Sequence, residues 1–197
     1  MVRLNPGSGK RLIVALAPRY SDILERFLRD DFIHDQDHFS ENERYQLGHF
    51  TTDEYLLSVR SVIGEHHPET KIRSAILTEI AGDNVETTRL LEPLSRITRL
   101  GCFSNTHAMH WEHMNTSFAW MKIFEIKLAS HLCGVAKPDA GAFRAICGAA
   151  NLEPNECLFI DDRLVNVEGA RSIGMQALHF QGASALVDDL GSIGIMI

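Results

Sequence analysis

The sequence changes rhythm near Arg99, and this change constrains the fold more than any other feature. Beyond it, short apolar segments alternate with segments of helical periodicity: "RLGCFSN", "HAMHWEHMNTSFAWM", "IKLASHL", "PDAGAFRAICGAAN", "ECLFIDD", "RLVNVEGARSIG", "MQALHF" and "ASALVDDLG". The alternation predicts strands and helices in turn. Strands joined by single helices form parallel sheets with right-handed crossovers. We therefore expect an α/β fold with a parallel sheet.

The first half of the chain has a different, mostly helical pattern. Apolar residues recur at spacings of three and four in "YSDILERFLRDDF", "TTDEYLLSVRSVIG" and "ETKIRSAILTEIAG". The predicted helix starts are Ser21, Thr51 or Thr52, and Thr70, and the predicted breaks are Gly48, Gly64 and Gly82. A helical unit preceding a parallel sheet is the expected organisation.

Composition bounds the class of protein. The 197 residues are 45% apolar and 23% charged, which fits one domain or one core with an insertion. The net charge of −7 argues against a nucleic-acid or membrane-surface partner. The apolar run "LIVALA" (12–17) is far shorter than a membrane span, and the four cysteines form no C-x-x-C pair. We expect a cytoplasmic protein with reduced core thiols. The sequence does not indicate its oligomeric state.

Two adjacent carboxylates end the apolar strand of "CLFIDDRLVN". Asp161 and Asp162 follow four apolar residues, and Asn166 lies one helical turn further on. In parallel sheets, ligands gather at the carboxyl ends of the strands. One aspartate would suffice as a helix cap. Two favour a hard cation such as Mg²⁺, which takes oxygen ligands and keeps several waters.

Two other predicted strand ends carry polar residues. Ser104, Asn105 and Thr106 follow one strand and suit either a helix cap or an anion site at a helix N-terminus. Lys137 precedes a helix that Pro138 and Asp139 begin well. A lysine there opposes the helix dipole. A bound phosphate and nearby carboxylates would resolve that conflict.

In this order, these stretches resemble the haloacid dehalogenase-like (HAD) superfamily. "SNT" is similar to its second motif, the lysine of "AKPDAGAF" to its third, and "FIDDRLVNVEGARSIGM" to its fourth. The branch that contains sugar-phosphatases and the phosphatase domain of epoxide hydrolases is the most similar. The resemblance implies a Rossmann-like parallel-sheet core, residues 1–17 and 92–197, with a helical cap, residues 18–91, inserted after the first strand.

The resemblance also assigns roles in binding a small phosphorylated metabolite or inorganic phosphate. Ser104, Asn105 and Lys137 would hold the phosphoryl group, and Asp161 and Asp162 would hold Mg²⁺. Asn166 would orient the lysine or the loop of the fourth motif. His110 falls where related sequences often carry a histidine, but a lone helix histidine is more often a core or surface residue, so it is left out of the site.

The family's first motif is the one that this sequence lacks. Its members carry an aspartate nucleophile at the end of the first strand, and no aspartate or glutamate precedes Asp22 here. Laying "LNPGS" over that motif puts Asn5 at the nucleophile's position. Taking "RLIVALAP" as the first strand instead puts Ala15 or Ala17 there. The stretch "LNPGSGKR" is not a phosphate loop either, because that loop needs a glycine five positions before Gly9 and a hydroxyl residue after Lys10.

Three functional hypotheses follow. The chain is a phosphatase-like protein with impaired hydrolysis, because a carboxamide is neither a comparable nucleophile nor an anionic ligand, so Mg²⁺ binds weakly or not at all. Alternatively, it is an active Mg²⁺-dependent phosphatase whose nucleophile is unplaced or was lost with a different N-terminus. A third hypothesis is a non-catalytic module that binds a phosphometabolite or a protein.

Histidine-rich pieces raise a further idea, a transition-metal site. They are "HDQDH" (34–38), "EHH" (65–67) and "HAMHWEH" (107–113). His107, His110 and His113 share a helix face only in part, so surface and core roles explain them better.

Overall fold

The computed structural model describes residues 2–4, 8–29 and 39–197. Asn5 and the 34–38 segment lie outside these residues. The first half contains β1 (Val2–Leu4), α1 (Ser8–Leu16), α2 (Ser21–Phe27), α3 (Glu41–Gln46), α4 (Thr52–Ile63), α5 (Glu69–Leu77), β2 (Ile80–Asp83), α6 (Val85–Thr88) and α7 (Leu91–Ser95). The helical pattern predicted for this half is therefore largely confirmed.

Local sequence signals set the ends of these helices. Ser40 and Thr51 each form a capping box, in which the hydroxyl accepts from the N–H of the third helical residue and that residue's Glu accepts from the cap N–H. Gly64 ends α4 at a φ of +106°, which L side chains rarely adopt. Thr51 is thus the cap and Thr52 the first residue of α4.

The apolar run near the N-terminus forms a helix, so its interpretation as a first strand is wrong. Ile13 and Ala17, four positions apart, are buried together with Ile72 and Ile76 of α5. A short apolar run does not by itself distinguish a buried strand from a buried helix. Packing against α5 decides between them here.

The position of β1 also differs from the prediction. It pairs antiparallel with β2, with Val2 opposite Asp83 and Leu4 opposite Ile80, rather than joining a parallel sheet. The predicted helix "ETKIRSAILTEIAG" ends at Leu77, and its last residues belong to β2. Pairing between distant segments has no local sequence signature. Because β2 lies within residues 18–91, the residues assigned to the cap are not helical throughout.

The second half follows the predicted alternation closely. It contains β3 (Gly101–Ser104), α8 (Ala108–Ser117), β4 (Ile126–Ala129), α9 (Ser130–Cys133), α10 (Ala140–Ala150), β5 (Leu158–Asp161), α11 (Leu164–Ser172), β6 (Gln176–His179) and α12 (Ala183–Ser192). β3 pairs parallel with β4, and β5 pairs parallel with β6. The predicted α/β class with parallel strands is confirmed. None of the described helices is both long and apolar enough to cross a bilayer.

A ring stack and a buried hydroxyl join the two halves. The rings of Tyr55 and Tyr45 stack at 4.3 Å, Tyr45 and His107 at 4.6 Å, and His107 lies 4.1 Å from His110. The fully buried Ser130 hydroxyl lies 2.7 Å from the Gln46 carbonyl oxygen and 2.9 Å from the Thr106 nitrogen. The Ser130 hydroxyl thus pairs with a backbone oxygen of the first half, and the Tyr45 and His107 rings also meet across the junction.

The packing of α11 on the loop before α10 gives a first prediction. A Cβ at Gly169 would lie 2.6 Å from the Pro138 carbonyl oxygen and 2.9 Å from Cε2 of Phe143. Gly169→Ala is expected to lower the free energy of unfolding by about 2 kcal/mol, because overpacking outweighs the helix propensity gained. Gly148→Ala in α10 is the control, since a Cβ there has no atom of the described residues within 4 Å apart from its chain neighbours and the nearby backbone of its own helix. Chemical denaturation should show the control unchanged or stabilised; equal effects would contradict the prediction.

Candidate functional site

Lys137 lies between α9 and α10, and its side chain forms hydrogen bonds to residues of two strands, β3 and β5. Its Nζ donates to Asp161 Oδ2 at 2.7 Å and to the Phe103 carbonyl oxygen at 3.1 Å. The side chains of Lys137 and Asp161 are only 9% and 8% exposed. Burying an ammonium group is costly unless it is paired and hydrogen-bonded. Here β3 and β5 each supply one of its partners. The ammonium group therefore lies at the ends of these two strands, although Lys137 directly precedes a helix in the sequence.

Asp161 is held by donors on both of its oxygens. Oδ2 accepts from Lys137, and Oδ1 accepts from the Arg163 N–H and from Asn166 Nδ2, both at 2.9 Å. Burial alone would raise the pKa of Asp161. The charge of Lys137 and these hydrogen bonds outweigh burial and hold that pKa below its ordinary value. Asp161 is therefore a carboxylate at neutral pH.

Asn105 uses its side chain on the backbone of Lys137. Its Nδ2 donates to the Lys137 carbonyl oxygen at 2.7 Å, and its Oδ1 accepts from the Lys137 N–H at 2.9 Å. The resemblance implies phosphate binding by Asn105, whereas these bonds direct its carboxamide to the lysine. A side chain that binds phosphate must donate, because phosphate oxygens accept, and the Nδ2 donor of Asn105 is directed to the Lys137 carbonyl oxygen instead.

Ser104 and Asp162 occupy more open positions at the same strand ends. Ser104 is the half-buried last residue of β3, and Asp162 follows β5 with an exposed side chain. The Asp162 carbonyl oxygen lies 3.0 Å from His179 Nε2 at the end of β6. Four of the predicted site residues are thus linked by hydrogen bonds in the order Asn105, Lys137, Asp161 and Asn166. The other two, Ser104 and Asp162, are sequence neighbours of Asn105 and Asp161.

Phe103 and Arg163 contribute to this arrangement through backbone atoms and were not singled out in the sequence. The Phe103 carbonyl oxygen accepts from the lysine, and the Arg163 N–H donates to Asp161. The rings of Phe103 and Phe159 also lie 5.3 Å from Lys137 Nζ. Backbone groups carry no side-chain signature, so the residue types could not have revealed these two contacts.

The donors present fit a largely hydrated Mg²⁺. Asp162 offers an exposed carboxylate, and Asn166 Oδ1 is buried and has no hydrogen-bond partner among the described residues. Within the described ranges, no group of three or more His, Cys, Asp or Glu side chains could hold a metal ion. A small number of acidic ligands is compatible with Mg²⁺ in general, because it is bound through one or two carboxylates and otherwise keeps its water.

The histidines near the strand ends have structural roles. His107 caps α8, accepting from the His110 N–H, and His110 Nε2 donates to the Ile76 carbonyl oxygen at 2.9 Å. Burial is the main cause that lowers the pKa of both rings. Both histidines therefore favour the neutral form, as core residues do.

Comparison with curated proteins finds relatives named as phosphatases. The chain is 38% identical over 88 residues to flavin mononucleotide hydrolase 1 of Arabidopsis thaliana, and this match covers 40% of the chain and 36% of the relative. It is 38% identical over 79 residues to a phosphatase of Mycobacterium tuberculosis, covering 38% of the chain and 36% of that relative. The matches therefore span about a third of these two proteins.

Solved structures share the fold over nearly the whole chain. A HAD family enzyme of Bacteroides thetaiotaomicron, in complex with magnesium and inorganic phosphate, aligns with a TM-score of 0.76 and 21% identity, covering 92% of this chain and 89% of that one. A HAD-like hydrolase of Porphyromonas gingivalis aligns with a TM-score of 0.78 and 20% identity, covering 98% and 91%.

The sequence model of haloacid dehalogenase-like hydrolases matches residues 8–174, which is most of the chain and includes Ser104, Lys137 and Asp161. Family, fold and motif order thus agree, and the chain belongs to the haloacid dehalogenase-like hydrolase family.

Proposed function

We propose that this chain binds small phosphorylated metabolites or inorganic phosphate at the ends of β3 and β5 and lacks efficient hydrolysis of them. The observation that carries the proposal is the buried Lys137–Asp161 pair, which sets a cation between two strand ends. Ligands of open α/β sheets bind at these ends. Membership of a hydrolase family whose relatives include phosphatases supports the same ligand class.

Each residue has a role in this proposal. The Lys137 ammonium has three N–H donors, of which two are used by Asp161 and Phe103, so the third can donate to a phosphate oxygen and its charge neutralises the phosphate. The Ser104 hydroxyl donates to another phosphate oxygen. Asp162, with the oxygen of Asn166, would hold Mg²⁺, which when bound supplies positive charge toward the phosphate. Asp161 keeps the ammonium in place. These groups bind and orient a phosphate ester.

Hydrolysis needs an attacking oxygen as well. Residues 1–21 contain no aspartate or glutamate, so the position that the family gives to its nucleophile has no carboxylate in this chain. Positioning groups without a nucleophile leave the reaction to water. Loss of a nucleophile commonly costs several orders of magnitude in rate, or about 5 kcal/mol and more of transition-state stabilisation.

Phosphate binding without turnover is the expected result for the unchanged chain. Calorimetry should detect binding of inorganic phosphate, and Lys137→Gln should weaken it at least about tenfold, because a charged hydrogen-bond donor is lost. Lys127→Gln is the matched control, since Lys127 is an exposed lysine of β4. A panel of sugar and nucleotide monophosphates with Mg²⁺ should show negligible hydrolysis.

An Asn5→Asp variant tests the place assigned to the missing nucleophile. Turnover is expected to rise in this variant and to be lost again when Lys137→Gln is added. Turnover by the unchanged chain that Lys137→Gln abolishes would instead contradict the proposal. It would establish the alternative of an active phosphatase, which the names of the curated relatives favour.

Magnesium is expected to bind weakly, with a dissociation constant on the order of 1 mM, because affinity for a hard cation falls with each carboxylate missing from the site. Asp162→Asn should abolish the binding measured by calorimetry. Asp188→Asn, which changes an exposed aspartate of α12, should leave it intact. Micromolar binding by the unchanged chain would mean that a further carboxylate enters the site.

A further inference from the structure

The contact between Asn105 and Lys137 has an unusual form for two residues 32 positions apart. The carboxamide donates to the carbonyl oxygen and accepts from the N–H of the same residue, at 2.7 and 2.9 Å. These are the two groups that one residue presents to a neighbouring strand. The side chain of Asn105 therefore takes the place of a strand partner for Lys137.

This contact fixes the start of the lysine side chain, while other groups fix its end. Asn105 follows β3 and holds the backbone of Lys137. The Phe103 carbonyl oxygen, on β3 itself, lies 3.1 Å from the ammonium nitrogen, and Asp161 of β5 lies 2.7 Å from it. A long, flexible side chain is thus restrained at both ends, which lowers the entropic cost of presenting its charge to a ligand.

We propose that Asn105 is a positioning residue for Lys137 and does not itself bind the phosphoryl group. The proposal rests on the proposed function, in which Lys137 contacts phosphate. Within the carboxamide, Oδ1 is an acceptor already used by Lys137, and Nδ2 is directed to the Lys137 carbonyl oxygen at short range. Asn105 therefore acts on the ligand through the lysine.

The test compares two variants of Asn105 with a matched asparagine elsewhere. Asn105→Ala removes both bonds, whereas Asn105→Asp keeps an acceptor for the Lys137 N–H and loses the donor. Asn115→Ala is the control, because its carboxamide also donates to a backbone carbonyl oxygen, at 2.8 Å, but within its own helix. If Asn105→Ala does not fold, Asn105→Asp still tests whether loss of the bond to the Lys137 carbonyl oxygen affects the lysine.

Two measurements separate positioning from direct binding. Proton exchange of the Lys137 ammonium is followed by NMR on lysine-labelled protein, with Lys137→Gln identifying the signal. Affinity for inorganic phosphate is measured by calorimetry. In Asn105→Ala, exchange of the ammonium is expected to accelerate about tenfold and phosphate affinity to fall about tenfold, because the two hydrogen bonds no longer hold the backbone. Asn105→Asp should accelerate the exchange less, and Asn115→Ala should change neither.

The outcomes distinguish this proposal from the proposed function. Lower phosphate affinity with unchanged ammonium exchange would overturn it and make Asn105 a direct ligand. Unchanged values for both measurements in Asn105→Ala and Asn105→Asp would overturn it as well. If the unchanged chain binds no phosphate, the proposed function fails, while faster ammonium exchange in the variants still supports positioning of Lys137 by Asn105.

Discussion

Asp161→Asn is expected to lower the free energy of unfolding by about 3–5 kcal/mol, because it leaves the buried Lys137 ammonium without its anionic partner. Asparagine fills the same space but replaces one of the two acceptor oxygens with an NH2 group, so the loss combines the removed charge with a lost hydrogen-bond acceptor. Adding Lys137→Met to this variant should recover part of the stability, since no charge then remains unpaired. Urea denaturation with a two-state analysis measures all three proteins.

An exposed ion pair provides the control. Arg96 and Glu92 lie 2.6 Å apart with side chains 73% and 70% exposed, and Glu92→Gln should change the stability by no more than about 0.5 kcal/mol. The decrease in unfolding free energy caused by Asp161→Asn should also become smaller at acidic pH. The lowered pKa of Asp161 contributes stability above the ordinary aspartate pKa of about 3.9, and this contribution is lost as the pH falls toward the lower folded value. Equal effects of Asp161→Asn and Glu92→Gln would show that the buried pair contributes nothing.

Mild acid is expected to destabilise the junction between the two halves. Burial, followed by charged neighbours, lowers the pKa of His107, and burial is also the first cause for His110 and His131. The unfolded chain then binds more protons than the folded one below an ordinary histidine pKa of about 6.5. Stability should fall with decreasing pH, by at most about 1.4 kcal/mol per pH unit for each histidine.

A non-titrating cap at position 107 isolates the contribution of that histidine. His107→Asn keeps an acceptor for the His110 N–H and is expected to reduce the slope of unfolding free energy against pH between pH 7.5 and 5.5. His66→Gln, which replaces an exposed histidine, is measured beside it as the comparison variant. A slope that His107→Asn does not alter would exclude His107 as a source of the acid sensitivity.

The strand–helix alternation and the lysine were predictable from the sequence because both depend on local patterns. Apolar runs bounded by polar residues predicted β3, β5 and β6, and the conflict between Lys137 and the helix dipole indicated a charged partner. Asp161 is such a partner, at 2.7 Å. Local chemistry thus identified the residue, and the strand ends indicated where its partner would lie.

Other features depend on contacts between distant segments, which no local pattern contains. Asp161 and Asp162 are equivalent as neighbouring aspartates in the sequence, yet one is buried with three donors and the other is exposed. The carboxamide of Asn105 meets the backbone of a residue 32 positions away. Likewise, the pairing of β1 with β2 is set by a partner in another part of the chain.

The two parallel strand pairs have a consequence for the order in which the chain folds. Gly101 pairs with Ile126 and Leu158 with Gln176, so each pair closes only a short loop, whereas Ser130 reaches Gln46 across 84 positions. The entropic cost of closure grows with loop length, and non-local contacts slow folding. We expect each strand–helix–strand unit to form before the helical half docks through Ser130. Substitutions at Ser130 should therefore accelerate unfolding far more than they slow folding.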